Sequence, residues 1–166
     1  MKKILFFAED PGAANYISAL YTFLKDDFLI YFFATNTAYD FLIQQGFKVK
    51  RYEKDKIRNL DIDFFLFGTT SEKENKWEEI FKFLKTKDVI TIGAIDAIIS
   101  SDLRFSNKKL LPDYIVVPDI EILEEYKPKL LQCKFILSGH LQWIEIINKR
   151  EKLHSRRSQF QSKFFS

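Results

Sequence analysis

"ILFFAEDPGAANYISALYTFL", residues 4–24, sets the pattern for the whole chain. Ile4–Ala8 is a continuous apolar run, as expected of a strand buried on both faces. Asp10 is placed to cap a helix and Pro11 to fill its first position. Tyr16, Ala19, Leu20, Phe23 and Leu24 then recur at helical spacing. A strand, a short polar loop and an amphipathic helix in that order are one half of a βαβ unit.

The same alternation continues outward. Phe28–Ala34 reads as a second strand, residues 37–45 as a helix stopped by Gly46, and Phe47–Tyr52 as a short third strand. Asp63–Phe67 is a fourth apolar run, followed by the capping-box spacing of Ser71 with Glu74 and a helical stripe of Trp77, Ile80, Phe81 and Leu84. Val89–Ile95, Tyr114–Val117 and Phe135–Leu137 complete about seven strands, with a helix over residues 120–126 between the last two. Strands alternating with helices predict an α/β chain, a single doubly wound, mostly parallel Rossmann-like sheet with helices on both faces. Residues 1–148 form this domain, and 149–166 read as a basic, helical tail.

Composition limits the classes available. The chain has 166 residues, 46% hydrophobic and 30% charged, which suits one globular domain with a real core. A net charge of +3 is too mild to point to nucleic acid. One cysteine, Cys133, rules out an internal disulfide and suits a reducing compartment. The apolar run after Lys2 and Lys3 stops at Glu9, too short for a signal peptide, and no segment reaches the ~20 residues of a membrane span. A soluble, cytoplasmic protein is expected.

Ligands of open parallel sheets bind beyond the carboxyl ends of the strands. Those ends carry residues 9–15, 35–37 and 68–71, Asp96 with the loop to Phe105, Pro118-Asp119, and Ser138-Gly139-His140. Gly12, Ala13 and Ala14 fall in the first turn of the first helix. Their small side chains either admit a hydroxyl or phosphate to the free backbone amides or permit close packing on the sheet. The G-x-G-x-x-G dinucleotide spacing and the P-loop are both absent.

Arg104 can grip a phosphate or carboxylate, or pair with Asp102 or Asp96. Asp96 can act as a base, a hydroxyl acceptor or a helix cap. His140 can be a general base or a substrate ligand, or an ordinary turn residue. Cys133 has no activating neighbour in sequence, His154 lies in the basic tail, and no Cys/His set has metal-ligand spacing. No metal and no cofactor are expected. The acidic pair after the first strand is also found in receiver domains, but here the phosphoacceptor position is Gly68-Thr69 and seven strands are too many.

The ordered motifs "AEDPGAANYI", "FGTTSEKE", "IGAID" with "LRF", "LPDYIVVPD" and "ILSGHLQW" resemble the N-terminal half of bacterial surface-carbohydrate biosynthesis proteins. These have a GT-B-like architecture, of the glycosyltransferase or sugar-nucleotide epimerase type. The resemblance spans most of residues 3–145. It implies two Rossmann-like domains facing across a cleft, the first holding the acceptor and supplying the base, the second gripping the sugar nucleotide. By that likeness Gly12, Ala13, Ala14 and Asn15 line the cleft, and Thr69, Thr70 and Arg104 meet the substrate. Asp96 and His140 are the catalytic candidates.

The sequence departs from the family after Asp96, at Ala97-Ile98-Ile99-Ser100, and in its last turn, Ser138-Gly139-His140. After Asn148 the chain offers no further strands, so it is expected to be incomplete, a truncated half or one subunit of a split enzyme. The expected partners are a sugar nucleotide and a carbohydrate acceptor, met together with a second domain or subunit in a homo- or hetero-oligomer. The tail's Lys149, Arg150, Lys152, Arg156, Arg157 and Lys163, with Phe160, Phe164 and Phe165, can touch an anionic membrane surface or simply be solvated. The contrasting reading is a non-catalytic Rossmann-like binding or regulatory module.

Overall fold

Each apolar run becomes a strand of one parallel sheet. The computed structural model describes residues 1–70, 75–97, 104–144, 146, 147 and 150. In chain order they form β1 (Lys2–Ala8), α1 (Pro11–Leu24), β2 (Phe28–Ala34), α2 (Asn36–Gln44), β3 (Lys50–Arg51) and α3 (Lys54–Arg58). Then follow β4 (Phe64–Gly68), α4 (Lys76–Leu84), β5 (Ile90–Ala94), β6 (Tyr114–Val117), α5 (Ile120–Tyr126) and β7 (Lys134–Leu137). Residues 141–144, 146 and 147 are helical as well. Ser71, Glu74 and the tail beyond Arg150 lie outside the described residues.

The strand order is β3-β2-β1-β4-β5-β6-β7, with every pair parallel. The chain starts in the middle, winds outward to β3, returns beside β1 at β4, and winds outward the other way. The reversal between β1 and β4 is where sheets of this kind bind ligands, beyond the carboxyl ends of the strands.

The continuous apolar strands follow from burial on both faces. On β1, Leu5 and Phe7 enter one core while Ile4, Phe6 and Ala8 enter the other. On β4, Phe65 and Phe67 divide from Leu66 in the same way. Helices α1 and α2 cover one face through Tyr16, Ile17, Ala38 and Leu42. The opposite face is covered by α3, α4 and α5 through Ile57, Trp77, Phe81 and Ile122. The α4 stripe anticipated from sequence is buried in full, and Trp77 stacks on Phe67 with ring centroids 4.5 Å apart.

Three details differ from the sequence expectation. The third strand contracts to two residues, because only Phe33 and Ala34 of β2 offer it a partner. Helix α3 was not anticipated; with five residues and Ile57 alone buried, it has no periodicity to read. Phe23, read with the residues at helical spacing in α1, is exposed, and Ala13, Ala14 and Ile17 are buried in that helix.

Candidate functional site

The carboxyl ends of β1, β4, β5, β6 and β7 bring four acidic side chains to one rim, and three of them hold helices. Asp10 Oδ1 accepts from Ala13 N at 2.8 Å and caps α1. Asp119 Oδ1 accepts from Ile122 N at 2.8 Å and caps α5. Glu9 reaches across to α4, accepting from Lys76 N at 2.9 Å and Trp77 N at 2.8 Å. Asn75, the residue before α4, makes no side-chain cap bond, so Glu9 supplies this charge-assisted cap from another loop.

Asp96 is the fourth acid, and it caps none of the described helices. Its Oδ1 lies 2.9 Å from Arg104 Nη1, an ion pair without an aligned hydrogen bond. Arg104 is buried, and the same nitrogen donates to Thr69 O at 2.9 Å and Thr69 Oγ1 at 2.7 Å. Thr69 Oγ1 in turn donates to Ala94 O at 3.0 Å. Arg104 is thereby tied to the ends of β4 and β5. Its alternative partner Asp102 lies outside the described residues. Beside it, Phe105 takes a left-handed backbone, φ 56°, rarely adopted by a bulky residue. That turn sends the Phe105 ring into the core, where Gly93 leaves it room: a Cβ there would stand 2.8 Å from Phe105 Cζ.

The small residues at 12–14 divide into two roles. A Cβ on Gly12 would stand 2.7 Å from Asp96 Oδ2, so Gly12 makes space for this carboxylate at the start of α1. Ala13 and Ala14 are buried in packing instead, 2% and 0% exposed. A Cβ on Gly68 would lie 2.4 Å from Ala13 Cβ, which marks how closely α1 rests on β4. The amides are mostly engaged too: Ala13 N serves Asp10 Oδ1, Ala14 N serves Asp10 O at 2.9 Å, and Pro11 has none. Among the described residues this leaves Gly12 N–H as the first-turn donor without a partner.

A second polar group lies toward β7. His140 Nε2 is 3.1 Å from Asp119 Oδ2, so one aspartate both caps α5 and orients the imidazole. His140 Nδ1 is buried without a hydrogen-bond partner among the described residues. Tyr16 OH lies 2.6 Å from Ser138 Oγ, which also reaches the carbonyls of Val117 at 3.2 Å and Gly139 at 3.0 Å. With the serine donating to a carbonyl, the phenol donates to the serine. Burial pushes the Tyr16 phenol up to about 12, and the Asp119 and Asp96 carboxylates add to it. This phenol therefore feels both acids and links the two halves of the rim.

Comparisons with protein-family models, with curated proteins and with solved structures each found no match.

Of the residues singled out in the sequence, Asp96, Arg104 and Thr69 meet in one cluster with Gly12 at its border. Thr69 and Thr70 are buried, 1% and 4% exposed, and Thr69 touches Arg104 directly. His140 belongs to the Asp119 pair. Gly12 and Asn15 open on a groove of about 690 Å³ across the outer side of α1. Ser18 also lies on its floor, Phe41, Gln45 and Phe47 form one wall, and Gln142 and Ile146 form the other.

The Tyr16–Ser138 hydrogen bond, the pairing of Asp119 with His140 and the second wall of the groove were not legible in the sequence. Asp119 had a readable signal, since it precedes its helix as Asp10 does. Gln142 had none. Among the described residues no group of three His, Cys, Asp or Glu side chains could hold a metal ion, and no helix is long and apolar enough to cross a membrane.

Proposed function

We propose that this chain is the acceptor-side half of a cytoplasmic, glycosyltransferase-like enzyme of surface-polysaccharide assembly, completed by a second half that binds the sugar nucleotide. The observation that carries the reading is Asp96, the rim carboxylate that caps none of the described helices and faces Gly12 at the start of α1. The parallel sheet with its winding reversal between β1 and β4, and the ordered strand-end motifs, agree with it.

In an inverting transfer the acceptor hydroxyl attacks the anomeric carbon of the sugar nucleotide. A new C–O bond forms, the bond from that carbon to the diphosphate oxygen breaks, and the hydroxyl proton passes to the base. Asp96 would take that proton, with Arg104 fixing the carboxylate against Thr69. His140, oriented by Asp119, is the second proton acceptor on the rim. Charge on the departing diphosphate would be met by donors of the second half.

A strain lacking the gene tests this. Loss of surface polymer, restored by the wild-type chain and not by a stably folded Asp96→Asn chain, is the expected result. A second reading, a binding module without turnover, draws on the engagement of Glu9, Asp10, Asp119 and Arg104 within the protein itself. Full restoration by Asp96→Asn would favour it.

A further inference from the structure

We infer that the groove across α1 is a binding site for an uncharged saccharide. The inference deepens the acceptor-side reading and takes from it the place of the sugar in a reaction. The groove's volume, about 690 Å³, falls within the range of small-ligand sites.

Its walls point to the ligand class. In a chain with 30% charged residues, none of the described residues lining this groove carries a charge. An anion or a cation would find no opposite partner among them. The polar groups are three carboxamides, Asn15, Gln45 and Gln142, with the hydroxyl of Ser18. A carboxamide donates and accepts, and so does a sugar hydroxyl, so the two pair in either sense. Phe41 and Phe47 supply aromatic surface for the C–H side of a pyranose.

Gln142 Oε1 has no hydrogen-bond partner among the described residues. Turned toward the groove, this carboxamide would accept from a sugar hydroxyl. The groove also leads to the rim, because Gly12 borders both the groove and the Asp96 carboxylate.

The test is an NMR titration of the full chain, following the side-chain amide signals of Asn15, Gln45 and Gln142. The probes are glucose, galactose, N-acetylglucosamine and maltose, against glucuronate, glucose 6-phosphate and uridine. At least one neutral sugar is expected to shift these signals saturably, and Gln142→Leu to weaken that sugar by about fivefold or more. Gln142 is partly exposed, so this variant is expected to keep its backbone spectrum; Phe47→Ala, also at a partly exposed position, is expected to weaken the same sugar.

Several results would overturn the inference: no shift with any neutral sugar, equal or stronger shifts with the charged probes or uridine, or undiminished binding by both variants. Neutral sugars that shift only the Ser138 and Gly139 amides would sink the groove and spare the acceptor-side reading. Saccharide binding in the groove, with polymer fully restored by Asp96→Asn, would do the reverse.

Discussion

Replacing Gly68 by alanine tests how tightly α1 is seated on β4. The added Cβ would lie 2.4 Å from Ala13 Cβ, 3.0 Å from Ile17 Cδ1 and 3.2 Å from Ala13 Cα. Carbon pairs rest at about 3.5–4.0 Å, so the closest pair falls short by more than ~1 Å. The neighbour is helix backbone as well as side chain, and a rotamer change cannot relieve it. Overpacking of this kind costs roughly 1–3 kcal/mol. Removing a strand glycine returns about 0.5–1 kcal/mol. The net expectation is a loss of about 1–2 kcal/mol, seen as a urea midpoint lowered by roughly 0.5–1 M at an unchanged slope of about 2 kcal/mol/M. Ala13→Gly alone should cost up to about 1 kcal/mol in helix propensity. In the Gly68→Ala background it should instead recover stability, with a coupling of about 1–2 kcal/mol. Two outcomes would refute the reasoning: a Gly68→Ala chain as stable as wild type, or a double variant in which the two losses simply add.

Arg104→Met leaves the Asp96 carboxylate without its ion-pair partner and removes both bonds to Thr69; since Asp96 keeps some contact with water, a loss of about 2–3 kcal/mol is expected in urea unfolding. Glu9→Ala removes both bonds to the first amides of α4 and should cost about 1–2 kcal/mol, with amide exchange rising first at residues 76–78. Burial raises the Tyr16 phenol to about 12, so the folded state holds that proton where an unfolded chain has begun to lose it. Stability from this group is complete below about pH 10 and is lost as pH climbs toward 12, by about 2 kcal/mol, and Tyr16→Phe should flatten that part of the pH profile.

The fold was legible because burial on both faces leaves a signal along the chain itself. Runs such as Ile4–Ala8 and Tyr114–Val117 need no partner to be recognised, and Asp10 with Pro11 announces α1 locally. Elements held by few buried residues left little trace: α3 has Ile57 alone, and β3 takes its length from its neighbour. At the rim, sequence placed Asp96, Arg104 and His140 on the correct strand ends but could not say which polar groups the protein uses for itself. Glu9 caps a helix that starts 67 residues later, and the distance between Asp119 and His140 along the chain conceals a contact of 3.1 Å. Of the two explanations for the small residues at 12–14, packing holds for Ala13 and Ala14, while Gly12 leaves room for the protein's own Asp96, a use that neither explanation named. The groove was illegible because it is assembled from α1, the α2 region and the residues after β7.

The most direct test of the central claim is the surface polysaccharide of a strain lacking this gene, supplied in turn with wild-type and Asp96→Asn chains of matched abundance. The account predicts that polymer disappears with the gene, returns with wild type, and falls by about 100-fold or more in rate of synthesis with Asp96→Asn. Polymer that persists without the gene, or that Asp96→Asn restores in full, would contradict it.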